Sequence, residues 1–275
     1  MAPATLLLQV AHPVVGAGVE QHSRFREDPW SRLAHTIGST VRFTYGTDPV
    51  ARVEADRLRR VHARIAGIDR QGRPYRALDP AAYAWVHLTL AHFVIDVQRV
   101  LARPLDPSER ETFYDEWRQV GLRLGVAATE MPRSWPAFVD YFDTTVRTVL
   151  EDNRSVRDVL DVVRCPPPPT RQVPGWVWLP LSSRAGTLQT LFTIGTLPQA
   201  VRELLGLPWS NDDQRRLERR AAAIRRAFDA LPRPLRTYPQ VLPHALAAYW
   251  WASPPATWWQ EGMARVGVPA RPGTG

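Results

Sequence analysis

The sequence predicts an all-α fold, a single helical bundle over residues 1–275. Three observations carry that prediction. Apolar residues recur at helical spacing from residue 30 to about 163 and again from 183 onward. Asp-Pro pairs stand at 48–49, 79–80 and 106–107, where an acid cap followed by a proline in the first turn starts a helix. A hydrophobic content of 44% with 11 tryptophans is that of a folded chain with a large aromatic core.

Taken in order, residues 5–19, TLLLQVAHPVVGAGV, are apolar but broken by Gln9, His12 and Pro13, with no basic segment ahead of them and no cleavage site behind. No window reaches about 18 uninterrupted apolar residues, so no membrane span and a cytoplasmic location are expected. Residues 49–66 predict a helix whose core face is Val50, Val53, Leu58, Val61 and Ile65, stopped by Gly67. Residues 79–102 hold Trp85, Val86, Phe93, Val94, Val97 and Leu101, a mostly apolar helix ended by Pro104 and placed at the centre. A third helix opens at Asp106 with Glu109 and Glu111 near its start, and others fit 136–150 and 155–163. At 165–180, CPPPPTRQVPGWVWLP, four consecutive prolines forbid a helix and predict a stiff internal crossover. Helices follow at 183–205 and 211–230, the latter with Leu217, Ile224, Phe228 and Leu231 on one side and arginine pairs on the other. Trp250, Trp251, Trp258 and Trp259 form a C-terminal aromatic cluster that either closes the core or makes a homodimer interface.

A net charge of +8 and a pI near 10.4 raise nucleic acid or an anionic membrane as partners. All 35 basic residues are arginine, however, interleaved with Asp and Glu along the whole chain, which reads as the codon bias of a GC-rich bacterial genome. No RNA-binding signature or zinc-finger spacing accompanies them, so nucleic acid is not an expected partner. The single cysteine, Cys165, excludes an internal disulfide and a cysteine-based zinc site.

The seven histidines are scattered, with no HExxH and no i, i+4 pair to grip a zinc ion. GxSxG, P-loop and dinucleotide motifs are absent, which removes hydrolase, NTPase and dinucleotide-binding classes as first choices. Single histidines in a helical chain are the pattern of a haem protein with one axial ligand, although composition does not choose the ligand. In LRRVHARIAG, residues 58–67, His62 lies about a quarter-turn off the apolar stripe and so edges a second cavity or is a partly exposed histidine among arginines.

Six ordered segments then carry a family resemblance: LLLQVAHP at 6–13, HSRFREDPWSRLAHT at 22–36, FTYGT at 43–47, LRRVHARIAG at 58–67, YRALDP at 75–80 and WVHLTL at 85–90. Over roughly residues 5–230 the chain resembles the MpaB-type oxygenases, relatives of the rubber oxygenases called latex-clearing proteins. The resemblance implies a globin-like helical core holding b-type haem through one proximal histidine, and the matching position is His62. It implies that Arg59 neutralises a haem propionate and that Arg32 and Thr36 form the distal pair, with His35 where latex-clearing proteins have a lysine. His35 thereby raises a second axial ligand as an alternative. His87, on the most apolar helix, is the rival proximal ligand or else a core histidine bonded to a backbone carbonyl. Cys165 is the remote thiolate alternative.

The implied reaction is oxygenation of an apolar small molecule by dioxygen, with cleavage of a carbon–carbon double bond, and Glu20 is the one early carboxylate available as a base. Two other readings stand beside it. One is a non-catalytic haem sensor or electron-transfer protein. The other is a cofactor-free helical interaction module, in which the arginine pairs at 215–226 dock on acidic lipid or nucleic acid.

Overall fold

A short, wholly apolar helix at the start of the chain becomes the centre of the molecule. The computed structural model describes residues 1–23, 25–168 and 173–231, with the backbone alone at Tyr45, Gly175 and Val177. Met1–Phe228 forms one compact unit of helices, and the expected tryptophan cluster at 250–259, with His244, lies outside the described residues. Helix α1 (Ala2–Ala11) buries Leu7, Leu8, Val10 and Ala11 to 1% exposure or less. Pro13 cannot continue α1, and the chain turns by 103° at His12 into α2 (Pro13–His22). The carbonyls that α1 leaves without helical partners are claimed by distant groups. Trp85 Nε1–H donates to the Leu8 carbonyl at 2.9 Å, the Asn153 amide to Val10 at 2.7 Å and the Glu151 N–H to Ala11 at 2.9 Å. These bonds let a polar helix end sit inside an apolar core at little cost.

Helix α3 (Pro29–Tyr45) is capped by Asp28, which accepts from the Ser31 N–H at 3.0 Å. A tight connection at Gly46–Thr47 folds α4 (Asp48–His62) back antiparallel on α3. The core face of α4 differs from the sequence expectation. Ala51, Glu54 and Ala55 are buried, while Val53 is 63% and Val61 46% exposed. Small side chains let α4 approach α3 closely, and that rotates the valines outward. The helix also ends at His62 rather than 66, because residues after it form a hairpin, β1 (Ala66–Ile68) with β2 (Pro74–Arg76), antiparallel with Gly67 opposite Tyr75. Glycine is required at 67: an added Cβ would stand 2.9 Å from Tyr75 Oη.

Asp79 caps α5 (Pro80–Leu101) through the Ala82 N–H, and Asp106 closes a capping box with Glu109 at the start of α6 (Pro107–Arg123). After a single 3-10 turn at Ala128–Glu130 come α7 (Trp135–Thr148), capped by Ser134, and α8 (Arg154–Arg164), capped by Asn153. Helix α9 (Gly175–Thr196) starts inside the segment expected to be wholly extended and carries Pro180 within its first two turns. Pro198 then separates it from α10 (Gln199–Leu204), where a single helix over 183–205 was expected. Helix α11 (Asn211–Asp229) buries Leu217 and Ala221 but leaves Ile224 and Phe228 at the surface.

The main core joins α1, α5, α6, α7, α8 and α10 around Trp85, Tyr114, Phe138 and Val156. A second core, under α3, α4, α5 and α6, contains Phe43, Ala55, Ala84, Trp117 and Met131. Helix α5 serves both, which bears out its expected central position. No single helix among the described residues is long and apolar enough to cross a membrane.

Candidate functional site

The α3–α4 hairpin is held in register by a buried carboxylate that the sequence pattern gave no reason to single out. Glu54 is 4% exposed and receives Ser39 Oγ at 2.5 Å, Arg42 Nε at 3.0 Å and Arg57 Nε at 3.0 Å. Burial pushes its pKa up, but hydrogen bonds from Arg57, Arg42 and Ser39 outweigh this and bring it down to about 2. Glu54 is therefore an anion at any neutral pH, bridging two helices through two guanidinium groups.

That clamp fixes what lies at the open end of the hairpin. Ser39 faces α4, and Arg32, two turns earlier, falls on the same stripe of α3, with Thr36 between them. On α4, Leu58 and His62 follow Glu54 at successive i+4 steps toward the same end. The two groups of residues come together. Burial lowers the His62 pKa, the Leu58 carbonyl opposes that, and the positive charges of Arg32 and Arg57 lower it further. Arg32 is exposed at the surface, although the protein around its guanidinium is enough to depress its pKa as well.

The His62 ring is oriented. Its Nδ1–H donates to the Leu58 carbonyl at 2.8 Å, one turn back, and Tyr83 on α5 meets it edge-on with ring centroids 5.8 Å apart. A proton held on Nδ1 leaves the Nε2 lone pair as the ring's free donor, which is the tautomer a metal-binding histidine needs. Around this end, large apolar side chains are left at the surface: Leu33 and Ile37 on α3, Val61 on α4. Trp30, at the start of α3, donates through Nε1 to the Pro167 carbonyl at 2.9 Å and so ties α3 to the proline run.

Other anticipated residues are placed differently. Thr36 donates its hydroxyl proton to the Arg32 carbonyl at 2.9 Å, so its oxygen faces outward as an acceptor. His35 is exposed, its Nδ1 only within 3.4 Å of Ser31 Oγ. Arg59 pairs with Asp56 and lies against Gly125, near Tyr83, on the α6 side of α4. Glu20 is ion-paired with Arg70 at 2.6 Å, beside the β1–β2 hairpin. His22 Nε2–H donates to Tyr75 Oη, which in turn donates to Gln21. Cys165 is exposed and free.

His87 sits in the second core at 4% exposure, stacked 5.1 Å from the Trp117 ring, with Nε2–H donating to the Trp117 carbonyl at 3.0 Å. Burial takes its pKa down to about 4. Because the unfolded chain binds this proton near pH 6.5 and the folded one does not, stability falls as pH drops from about 6.5 toward 4, by roughly 3 kcal/mol in all. His87→Gln, which keeps a donor, is expected to flatten urea-unfolding stability across that window; an unchanged slope would show that the proton is taken up elsewhere.

Among the described residues no three His, Cys, Asp or Glu side chains converge to hold a metal ion. One oriented imidazole with a free nitrogen, beside a surface cation and exposed apolar side chains, is a donor set that suits haem, which brings four equatorial nitrogens of its own.

Comparison with known proteins agrees in scale. The chain is 25% identical over 237 residues to the uncharacterized protein Rv2237 of Mycobacterium tuberculosis and to its counterpart Mb2261 of Mycobacterium bovis, covering 83% of this chain and 88% of each relative. No solved structure matches. Residues 1–226 match the family described as the ER-bound oxygenase mpaB/B'/rubber oxygenase catalytic domain, and these residues include every helix of the site just described; the chain belongs to that family of oxygenase catalytic domains.

Proposed function

We propose that the protein is a haem b-dependent oxygenase that uses dioxygen to cleave a carbon–carbon double bond of an apolar substrate. The observation that carries the reading is the His62 imidazole, whose Nδ1–H is committed to the Leu58 carbonyl and whose Nε2 is left free at the open end of the α3–α4 hairpin. His62 rather than His87 would hold the iron, since both bonds that orient His87 and Trp117 close that ring into the core. Bound haem would supply the activation of dioxygen that no side chain provides. In the overall reaction one alkene and one dioxygen give two carbonyl products, each taking one oxygen atom.

The chain's own residues bind, orient and exclude water. The Leu58 carbonyl fixes the tautomer and the ring plane of His62. Arg32 holds positive charge within electrostatic reach of His62, where it would stabilise negative charge developing on oxygen. Thr36, whose hydroxyl donates to the Arg32 backbone carbonyl, offers an acceptor rather than a donor beside that charge. Leu33, Ile37 and Val61 present apolar surface that suits an alkene chain and keeps water away. Glu20, paired with Arg70, is poorly placed to act as the base.

The test uses protein purified from haem-supplemented cells. A Soret band and oxygen uptake with a panel of isoprenoid alkenes, giving carbonyl products by mass spectrometry, are expected. Haem binding without oxygen uptake on any alkene would favour the sensor or electron-transfer reading, and a chain that takes up no haem would overturn the proposal.

A further inference from the structure

A large cavity lies away from the α3–α4 hairpin. It measures about 570 Å³ and opens between the C-terminal half of α5, α7, the α9–α10 break and α11. Along α5, Tyr83 touches His62 whereas His92 lines the cavity, so the two sites are separated by roughly 14 Å of helix at 1.5 Å per residue. A cavity of this size holds a drug-sized molecule.

Its lining is mixed, and one part of it is apolar and aromatic. Phe142 stacks on His92 with centroids 4.3 Å apart, and Phe138, Leu197 and Leu217 complete the surface. The charges on its walls are unequally satisfied. Asp96 is neutralised by Arg99 at 2.9 Å, and Glu218 accepts from the Gln214 amide at 2.8 Å. Arg202 and Arg225 have no carboxylate within ion-pair distance among the described residues. Arg202 donates from one nitrogen to the Leu197 carbonyl at 2.6 Å and lies over the Trp209 ring, 5.7 Å from its centroid, while Arg225 donates from one nitrogen to the Val100 carbonyl. Each guanidinium has five N–H donors, so both keep donors to spare, and each is already positioned by its carbonyl. Burial lowers the Arg202 pKa, and the charge of neighbouring Glu203 opposes that. Among the described residues, Asp143, facing His92, and Glu218, whose partner is a neutral amide, are the wall carboxylates without a cation at ion-pair distance.

We propose that this cavity binds an apolar monocarboxylate of the fatty-acid type, its carboxylate on Arg202 and Arg225 and its hydrocarbon on Phe138, Phe142, Leu197 and Leu217. The site is separate from the candidate oxygenase site and does not depend on the haem reading. A head group accepted by two guanidinium groups and a chain laid on aromatic rings account together for both the unpaired cations and the apolar part of the lining.

The probe is cis-parinaric acid, whose fluorescence rises on entering an apolar site, titrated into the full chain beside its methyl ester. The acid is expected to bind at least about tenfold more tightly than the ester, since the charge-assisted bonds to arginine are lost on esterification. Arg202→Gln and Arg225→Gln should each erase most of that preference, and Val139→Trp, at a partly exposed wall position, should block both probes. Thermal melts of each variant report whether it folds, and a folded Arg225→Gln suffices if Arg202→Gln does not. His62→Ala should leave the titration unchanged. Equal binding of acid and ester, or binding that survives Val139→Trp and disappears in His62→Ala, would overturn the assignment; the latter would place the probe in the α3–α4 site.

Discussion

Glu54→Ala is expected to lower unfolding stability by about 3–5 kcal/mol, because it leaves the guanidinium groups of Arg42 and Arg57 against a buried seam with no anion between them. The size follows from the asymmetry of buried ion pairs: the intact pair is of modest net value, while an orphaned charge carries its whole desolvation cost. The same carboxylate sets a pH signature. Its folded pKa near 2 lies below the ordinary 4.5, so the unfolded chain binds the proton first as pH falls. Its contribution is fully present above about pH 4.5 and is lost as pH drops toward 2, amounting to roughly 3 kcal/mol. Urea unfolding of parent and Glu54→Gln at pH 7 and pH 3 separates the terms. The parent should lose most of its advantage over Glu54→Gln at the lower pH, and a constant difference would mean that Glu54 titrates normally and the clamp is weaker than its geometry indicates.

Helix starts were legible because their signals are local. Asp79 and Asp106 each accept from a backbone N–H three residues on, a bond that needs nothing from the rest of the chain. The family was legible from six short segments for the same reason, and the match over residues 1–226 bears it out. What could not be read depends on partners distant in sequence. Glu54 sits in a polar stretch, DPVARVEADRLRR, that reads as a solvated helix, and only the arrival of Ser39 and Arg42 from α3 makes it a core residue. The valine stripe of α4 was misread because close packing through Ala51 and Ala55 outweighs the greater hydrophobicity of Val53 and Val61. Three-residue strands such as β1 and β2 are too short to show alternation, and the glycine at 67 marked the end of a helix without revealing the hairpin pairing with Tyr75. Of the proposed site, the family resemblance singled out Arg32, Thr36 and His62, which the fold brings to one end of the α3–α4 hairpin, but not which proton goes where. The Thr36 hydroxyl donates to the Arg32 backbone carbonyl, since a helical threonine finds the carbonyl four residues back closer than any ligand.

His62→Ala should abolish the parent's Soret band or shift it to that of loosely held haem, with affinity weakened by more than about 100-fold. Loss of groups that merely orient a metal-bound histidine costs 10–100-fold, so loss of the donor itself must cost more. A folding defect is the competing explanation, and the structure supplies the control. His62 is only partly buried and its hydrogen bond is to its own helix, so its removal breaks no hydrogen bond between helices. His62→Gly supplemented with imidazole should therefore regain the band, because a free imidazole can occupy the vacated space, while His87→Gln should keep it throughout. If His62→Gly is folded and spectrally identical to the parent, the iron is held elsewhere and the orientation of His62 by Leu58 is structural. Arg32→Gln distinguishes positioning from chemistry at the same end of the hairpin: it should retain the band, since it does not supply the donor, and slow alkene turnover by about 100-fold, the usual consequence of removing one group that stabilises developing negative charge.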